Sequence, residues 1–170
     1  MPGRAPLSGK ISARALTTKE AAVAGKDKHV ERMSSHLNEP IDSACPITRP
    51  GGTASQIGLG VGGVVGAAIA GAGKHRDSDV KVGQFAWLGL GAAHWVITKA
   101  SMMGKPTGEP LARVAYADVT DVALTAGKVT MRADISLNDG RHIAFETQVK
   151  GQNKAHAEIL EILRSRCGAG

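Results

Sequence analysis

A glycine-rich run is the feature that most restricts the fold of this chain. The 24 residues from Pro50 to Gly73 carry no charge, and seven of the last 17, Ile57–Gly73, are glycine. Small residues recur at every fourth position of this run: Gly58, Gly62, Gly66 and Ala70. In a helix, this spacing places them on one face, where a second backbone can approach closely. We therefore predict an inserted helix that packs through its glycine face.

The run also fits two other interpretations, a dinucleotide-binding loop and a membrane helix. The segment Gly58–Gly63 fits a dinucleotide-binding pattern, but the loop-forming residues Arg49–Gln56 stand where that pattern requires a strand. A membrane helix of this length would span roughly 25 Å, slightly less than a hydrocarbon core of about 30 Å. A second apolar stretch, Phe85–Ile97, is shorter still and contains His94. The packed helix is favoured, a membrane-inserted helix is the first alternative, and a flexible Gly-rich loop is the second.

Composition narrows the classes of partner. Hydrophobic residues make up 42% of the chain but aromatic residues only 3%, so the core must consist mainly of aliphatic side chains. A net charge of +6 favours acidic partners, whereas the scarcity of aromatic stacking platforms disfavours nucleic acid. Cys45 and Cys167 are isolated and form neither a metal-ligand spacing nor a disulfide framework. These features indicate a cytoplasmic protein.

The first 40 residues are predicted to form a basic, partly disordered tail with a short amphipathic helix. Residues 1–19 carry four cations and no acid, and they lack the apolar segment of a secretory signal. Thr17 and Glu20 have the spacing of a capping box, apolar residues then recur at helical intervals, and Pro40 should end the helix. Whether this helix packs on the rest of the chain or folds only with a partner is left open.

The clearest periodicity lies in the C-terminal half. Apolar and polar residues alternate over residues 129–137 and again over 143–149, and Asn138–Gly140 between them supplies turn residues, so we predict a β-hairpin. Upstream, residues 111–116 and 119–124 form one bent strand or two short ones. Downstream, an amphipathic helix is expected over 152–166. Strands followed by one helix predict an antiparallel sheet or partial barrel.

Three further stretches complete a recognisable order: Asp42–Thr48, Phe85–Thr98 and Pro110–Val122. Together with the Asn138 hairpin and the last helix, they resemble the pleckstrin-homology-like (PH-like) domains of small bacterial proteins. The resemblance covers residues 41–167, with residues 50–83 as a Gly-rich insertion. It implies an α+β fold in which an antiparallel sheet or partial barrel carries a C-terminal amphipathic helix and an inserted Gly-rich helix.

The resemblance also implies that the scaffold binds a ligand rather than catalysing a reaction. Eukaryotic relatives often bind phosphoinositides through Lys and Arg in the loop between their first two strands. Here that region contains Lys74, Arg76 and Lys81, which become the candidate anion or lipid contacts. Asp77 and Asp79 lie among them, so the expected anion site is weak. A protein partner is the other function that the resemblance implies.

No catalytic arrangement is evident in the sequence. The six histidines are scattered, and neither a His-Glu-x-x-His nor a Cys-x-x-Cys pattern occurs. His142 and His156 are expected to be solvated, and Cys45 to be a small core residue. Asp118 and Asp121 should point to opposite faces of a strand, which makes them a poor acid–base pair. We expect no enzymatic activity, cofactor or metal site.

These inferences combine into one expectation of function. The chain should be a non-enzymatic, cytoplasmic binding module that is membrane-associated or oligomeric. Its partner should be a protein, a second copy bound through the Gly-rich helix, or an anionic membrane surface. The alternative is a small integral membrane protein with a cytoplasmic β-domain.

Overall fold

The alternating segments of the chain build two antiparallel sheets. A computed structural model describes residues 18–51 and 77–168. The first sheet has the strand order β1-β2-β3-β4 and the second β5-β6-β7. The strands are β1 Ser43–Ile47, β2 Ala86–Leu90, β3 His94–Ala100, β4 Pro106–Ala115, β5 Val119–Ala126, β6 Thr130–Leu137 and β7 His142–Gln148. Helix α1, Thr18–Leu37, precedes them and helix α2, Lys154–Cys167, follows. The predicted α+β class, the hairpin and the C-terminal helix are confirmed.

The main core lies between the two sheets and under α2. Trp95 and Ile97 of β3 are fully buried with Phe145 of β7, and Leu160 and Leu163 of α2 belong to the same cluster. These positions are the apolar faces that the alternation in the strands and the helical spacing in α2 predict. Cys45 is also fully buried in this cluster, as expected for a small core residue.

The sheets are not closed into a barrel. At one corner, a single bridge joins Thr48, just after β1, to Glu146 of β7, with N–O distances of 2.8 and 2.9 Å. Elsewhere the chain passes from β4 to β5 through a short 3₁₀ helix, Tyr116–Asp118. The stretch that the sequence left open is therefore two strands, and they belong to different sheets. Tyr116 is buried at the turn between them and donates a hydrogen bond to the Gly91 carbonyl.

Helix α1 covers the outer face of the first sheet. Its Met33 is fully buried with Trp87 and Val96 in a second apolar cluster. The β2–β3 hairpin is therefore buried on both faces, which explains the continuous apolar run over residues 85–97 without a membrane span. Gly89 allows close approach, since a Cβ there would lie 2.6 Å from Cε of Met33. Helix α1 ends at Leu37, before Pro40, as the sequence predicts. Asn38, the residue after the helix, adopts a positive φ of 53°.

The return arm of the insertion, residues 77–80, is attached to β7. The Ser78 hydroxyl accepts a hydrogen bond from the Ala144 amide at 3.0 Å. Asp79 and His142 exchange two hydrogen bonds of 2.7 Å, one from each backbone amide. Because the bridge from Thr48 reaches the same strand, both ends of the insertion are fixed on β7. The predicted Gly-rich helix lies outside the described residues.

Candidate functional site

Most of the residues predicted to form a site lie outside the described part of the chain. These are the helix-packing residues Gly58, Gly62, Gly66 and Ala70 and the cations Lys74 and Arg76. Lys81 is described; it is exposed and lines a hollow of about 460 Å³ at the base of the insertion.

Two cations besides Lys81 line the hollow at the base of the insertion, but one of them is neutralised. Arg49 and Arg132 line it together with Lys81. The guanidinium of Arg132 donates two hydrogen bonds to the Asp134 carboxylate, at 2.7 and 2.8 Å, and these bonds raise the pKa of Arg132. Asp77 also lines the hollow. Because the Arg132 guanidinium is already paired with Asp134, the hollow is a weak site for an external anion.

A more basic depression lies between α1 and the turn that connects β3 to β4. It is an open groove of about 550 Å³, and we call it the basic groove. Its lining residues are Lys28, His29, Glu31, Arg32, Ser35 and His36 of α1 and Lys105 of the turn. Three cations therefore face one carboxylate. The sequence interpretation assigned no role to these residues.

Ring stacking connects the two walls of the basic groove. The His29 ring of α1 stacks on the indole of Trp87, with 4.4 Å between the ring centroids and 30° between the planes. The indole Nε1 of Trp87 donates a hydrogen bond of 2.9 Å to the carbonyl of Gly104 in the β3–β4 turn. The helix and the turn are thus both held by one side chain of β2, which fixes Lys105 opposite the cations of α1.

The cations of the basic groove are not neutralised by described neighbours. Among the side chains that the structure describes, no carboxylate lies within 4.0 Å of the charged nitrogens of Lys28, Arg32 or Lys105. Lys28 and Arg32 stand four residues apart on α1, a like-charge spacing that destabilises a helix by about 0.2–0.5 kcal/mol. An anionic ligand would remove this repulsion.

The field of these cations acts on His29. Burial lowers the pKa of His29 below its usual value of 6.5, and the charges of Arg32 and Lys105 lower it further. The imidazole is therefore neutral at neutral pH. Burial and the positive charges of the groove act in the same direction on this histidine, and burial has the larger effect.

The β3–β4 turn presents an apolar tip beside the basic groove. We call residues 101–105 the methionine turn. Met102 and Met103 are 107% and 80% exposed. The turn is ordered by hydrogen bonds, from the Gly104 amide to the Ser101 carbonyl and from the Ser101 amide to the Lys105 carbonyl, both at 2.8 Å. The ordered backbone of the turn presents its two apolar side chains to solvent, and they pack against no residue that the structure describes.

The structure corrects the expectation that His142 and His156 are solvated. Both are only 6% exposed. His142 is covered because the return arm of the insertion binds β7, an arrangement that strand alternation cannot indicate. Nδ1 of His156 lies 2.9 Å from the Gln148 carbonyl, to which it donates a hydrogen bond. A sequence signal existed for His156, since it precedes Ile159, Leu160 and Leu163 at helical spacing.

The described residues also bear on metal binding, membrane spanning and thiol reactivity. No group of three or more His, Cys, Asp or Glu side chains is placed to hold a metal ion in residues 18–51 or 77–168. Within the same ranges, no helix combines the length and the apolar character needed to cross a bilayer. Burial raises the pKa of the Cys167 thiol to about 11, which suppresses its thiolate.

The sequence contains weak indications that the residues of the groove and the turn are unusual. Lys28 and Arg32 share a helix face at an unfavourable spacing, and Met102 and Met103 occupy a turn where polar residues are usual. Only the docking of α1 on the first sheet brings these two segments together.

Comparison with known proteins gave no assignment. The chain matches no model of a protein family, and a search of curated protein sequences found no match.

Proposed function

We propose that this chain is a non-enzymatic binding module with a PH-like fold, and that its partner carries negative charge. Two antiparallel sheets of four and three strands, followed by one C-terminal helix, support the fold assignment. The arrangement agrees with the order of stretches on which the resemblance depends. Binding rather than catalysis is the function that this resemblance implies.

One observation carries the choice of ligand. Lys28, Arg32 and Lys105 converge on the basic groove from two elements and have no described carboxylate partner. Cations held together without counter-ions attract an acidic ligand and strengthen its binding as they lose their mutual repulsion. The basic groove is therefore a second proposed anion contact, beside Lys74, Arg76 and Lys81, which remain a prediction from the sequence.

Titration with tripolyphosphate, a soluble polyanion, tests the proposal. We expect amide chemical shifts of α1 and the methionine turn to change on addition of the probe. Charge reversal in the double variant Lys28→Glu/Arg32→Glu should weaken binding by roughly tenfold or more, as for paired charges at an interface. Lys128→Glu/Lys150→Glu is the matched control, since it changes the net charge by the same amount and both lysines are exposed and lie outside the basic groove. Equal losses in both variants would show that net charge alone drives binding, and the groove assignment would fail.

Self-association through Gly58, Gly62, Gly66 and Ala70 is a separate part of the proposal. It is supported by the four-residue spacing of small residues in the sequence. It does not depend on the basic groove.

A further inference from the structure

The methionine turn identifies the kind of anionic partner. Met102 and Met103 protrude at the tip of a hairpin, and a third exposed position, Lys105, follows at the rim of the basic groove. An apolar tip next to a row of cations has the polarity of a bilayer surface, in which acyl chains lie beneath charged headgroups. We propose that Met102 and Met103 insert into the acyl region of an anionic membrane while the groove cations contact its headgroups.

Shape favours a lipid surface over a protein partner. The two methionines extend outward from the turn, and no described residue provides a rim or a hollow around them. A folded protein would need a complementary pocket for such a protrusion, whereas a fluid bilayer accepts it without one. Unbranched methionine side chains also adapt readily to irregular apolar surroundings.

The backbone of the turn is suited to insertion. Gly104 adopts a positive φ of 73°, and its carbonyl is held by the indole of Trp87. On the preceding strand, the Lys99 carbonyl accepts a hydrogen bond of 2.8 Å from the Thr107 hydroxyl. The turn is therefore already ordered before it meets a bilayer, so little conformational freedom remains to be lost on binding.

Charge complementarity operates over the same face. Lys28 and Arg32 of α1 line the basic groove beside the turn. Each cation near an anionic bilayer contributes favourably to the free energy of binding. This charge selects anionic lipid, and the methionines supply the part of the attraction that salt does not screen.

Vesicle sedimentation with matched variants tests the proposal, which rests on the proposed function of the basic groove. The full chain should bind mixed phosphatidylserine–phosphatidylcholine vesicles and not pure phosphatidylcholine vesicles. Met102→Gln/Met103→Gln should lower the partition coefficient by roughly tenfold or more, as expected for the loss of buried apolar area. Its affinity for tripolyphosphate should stay unchanged. Ile162→Gln, at an exposed apolar position of α2, is the control and should bind like the wild type.

Methyl NMR reports on insertion directly. Spin labels on the lipid acyl chains should broaden the methyl signals of Met102 and Met103 but not that of Met33, which is buried between α1 and the first sheet. Partition of the double methionine variant within twofold of the wild type, or unbroadened Met102 and Met103 signals, would overturn the insertion.

The outcomes separate this inference from the proposed function. If tripolyphosphate binds the groove but the wild type binds neither kind of vesicle, the partner is an acidic protein. Membrane insertion is then refuted, while the groove remains the proposed anion site. If charge reversal at Lys28 and Arg32 leaves tripolyphosphate and vesicle binding unchanged, the proposed function itself fails.

Discussion

His29 links the packing of the basic groove to its charge. The ring stacks on Trp87, and both burial and the neighbouring cations Arg32 and Lys105 lower its pKa. Lys28, Glu31 and His36, from α1, are the other titratable groups lining the groove. A bound anion would act in the opposite direction, because it stabilises the imidazolium form. Proton binding to His29 and anion binding to the groove are therefore coupled.

This coupling predicts a pH dependence of binding. We expect the affinity for tripolyphosphate at about pH 5, relative to the affinity at about pH 7, to be higher in the wild type than in His29→Gln, a comparison in which protonation of the probe itself cancels. The His29 imidazole signals, followed by NMR, should titrate at a higher pKa with the ligand than without it. The opposite shift, or none, would contradict an anion next to His29. His36→Gln is the control for the second groove histidine.

The same residue predicts a pH dependence of stability without ligand. The folded-state pKa lies below the unfolded value of 6.5, so the unfolded chain binds more protons between the two values. The contribution of His29 to the free energy of unfolding is therefore full above pH 6.5 and decreases as the pH falls toward the lowered pKa. In urea denaturation, the difference in the free energy of unfolding between the wild type and His29→Gln should be constant above pH 6.5 and should change in favour of the variant as the pH falls below it.

At the scale of elements, the attachment of α1 decides whether the basic groove exists. Most cations of the groove belong to α1, and the helix is held to the first sheet by a small apolar cluster around Met33. Met33→Ala should lower the free energy of unfolding by about 2–5 kcal/mol, the usual cost of truncating a buried side chain. It should also weaken tripolyphosphate binding, since the helix loses its anchor.

Equilibrium denaturation measures the stability effect of Met33→Ala. Ser35→Ala, at an exposed position of the same helix, is the control and should change stability by less than about 0.5 kcal/mol. A loss in Met33→Ala as small as that of the control would mean that α1 is not held by this cluster.

Local pattern was sufficient for some elements and insufficient for others. Alternation predicts β6, which has one buried face, and it also predicts β7, although the return arm of the insertion covers the second face of β7 near His142. Helix α2 follows from its apolar stripe. The β2–β3 hairpin is covered by α1 on one side and by the main core on the other, which removes the alternation and left residues 85–97 open to a membrane interpretation. The basic groove could not be predicted, because it requires α1 to dock beside a turn that is distant in the sequence.

At the scale of the whole molecule, the glycine-rich run gives the prediction on assembly. Gly62→Leu/Gly66→Leu places bulky side chains on the face that should contact a partner backbone. We expect the double variant to lose self-association or stability relative to the wild type, measured by size-exclusion chromatography with light scattering and by thermal unfolding. Val64→Leu, within the same run but off that face, is the control. An unchanged mass and an unchanged unfolding temperature would refute close packing of this face.

Both ends of the insertion are attached to neighbouring positions of one strand, and this attachment bears on how the chain can change in evolution. Thr48 pairs with Glu146 and Ser78 binds Ala144, so the ends are fixed by bonds that do not depend on the residues between them. The entropy cost of closing a loop grows slowly with its length, by about 0.6 kcal/mol for each doubling. Mutation can therefore lengthen, shorten or replace the intervening sequence while the sheets keep their register, and new recognition properties can arise on an unchanged scaffold.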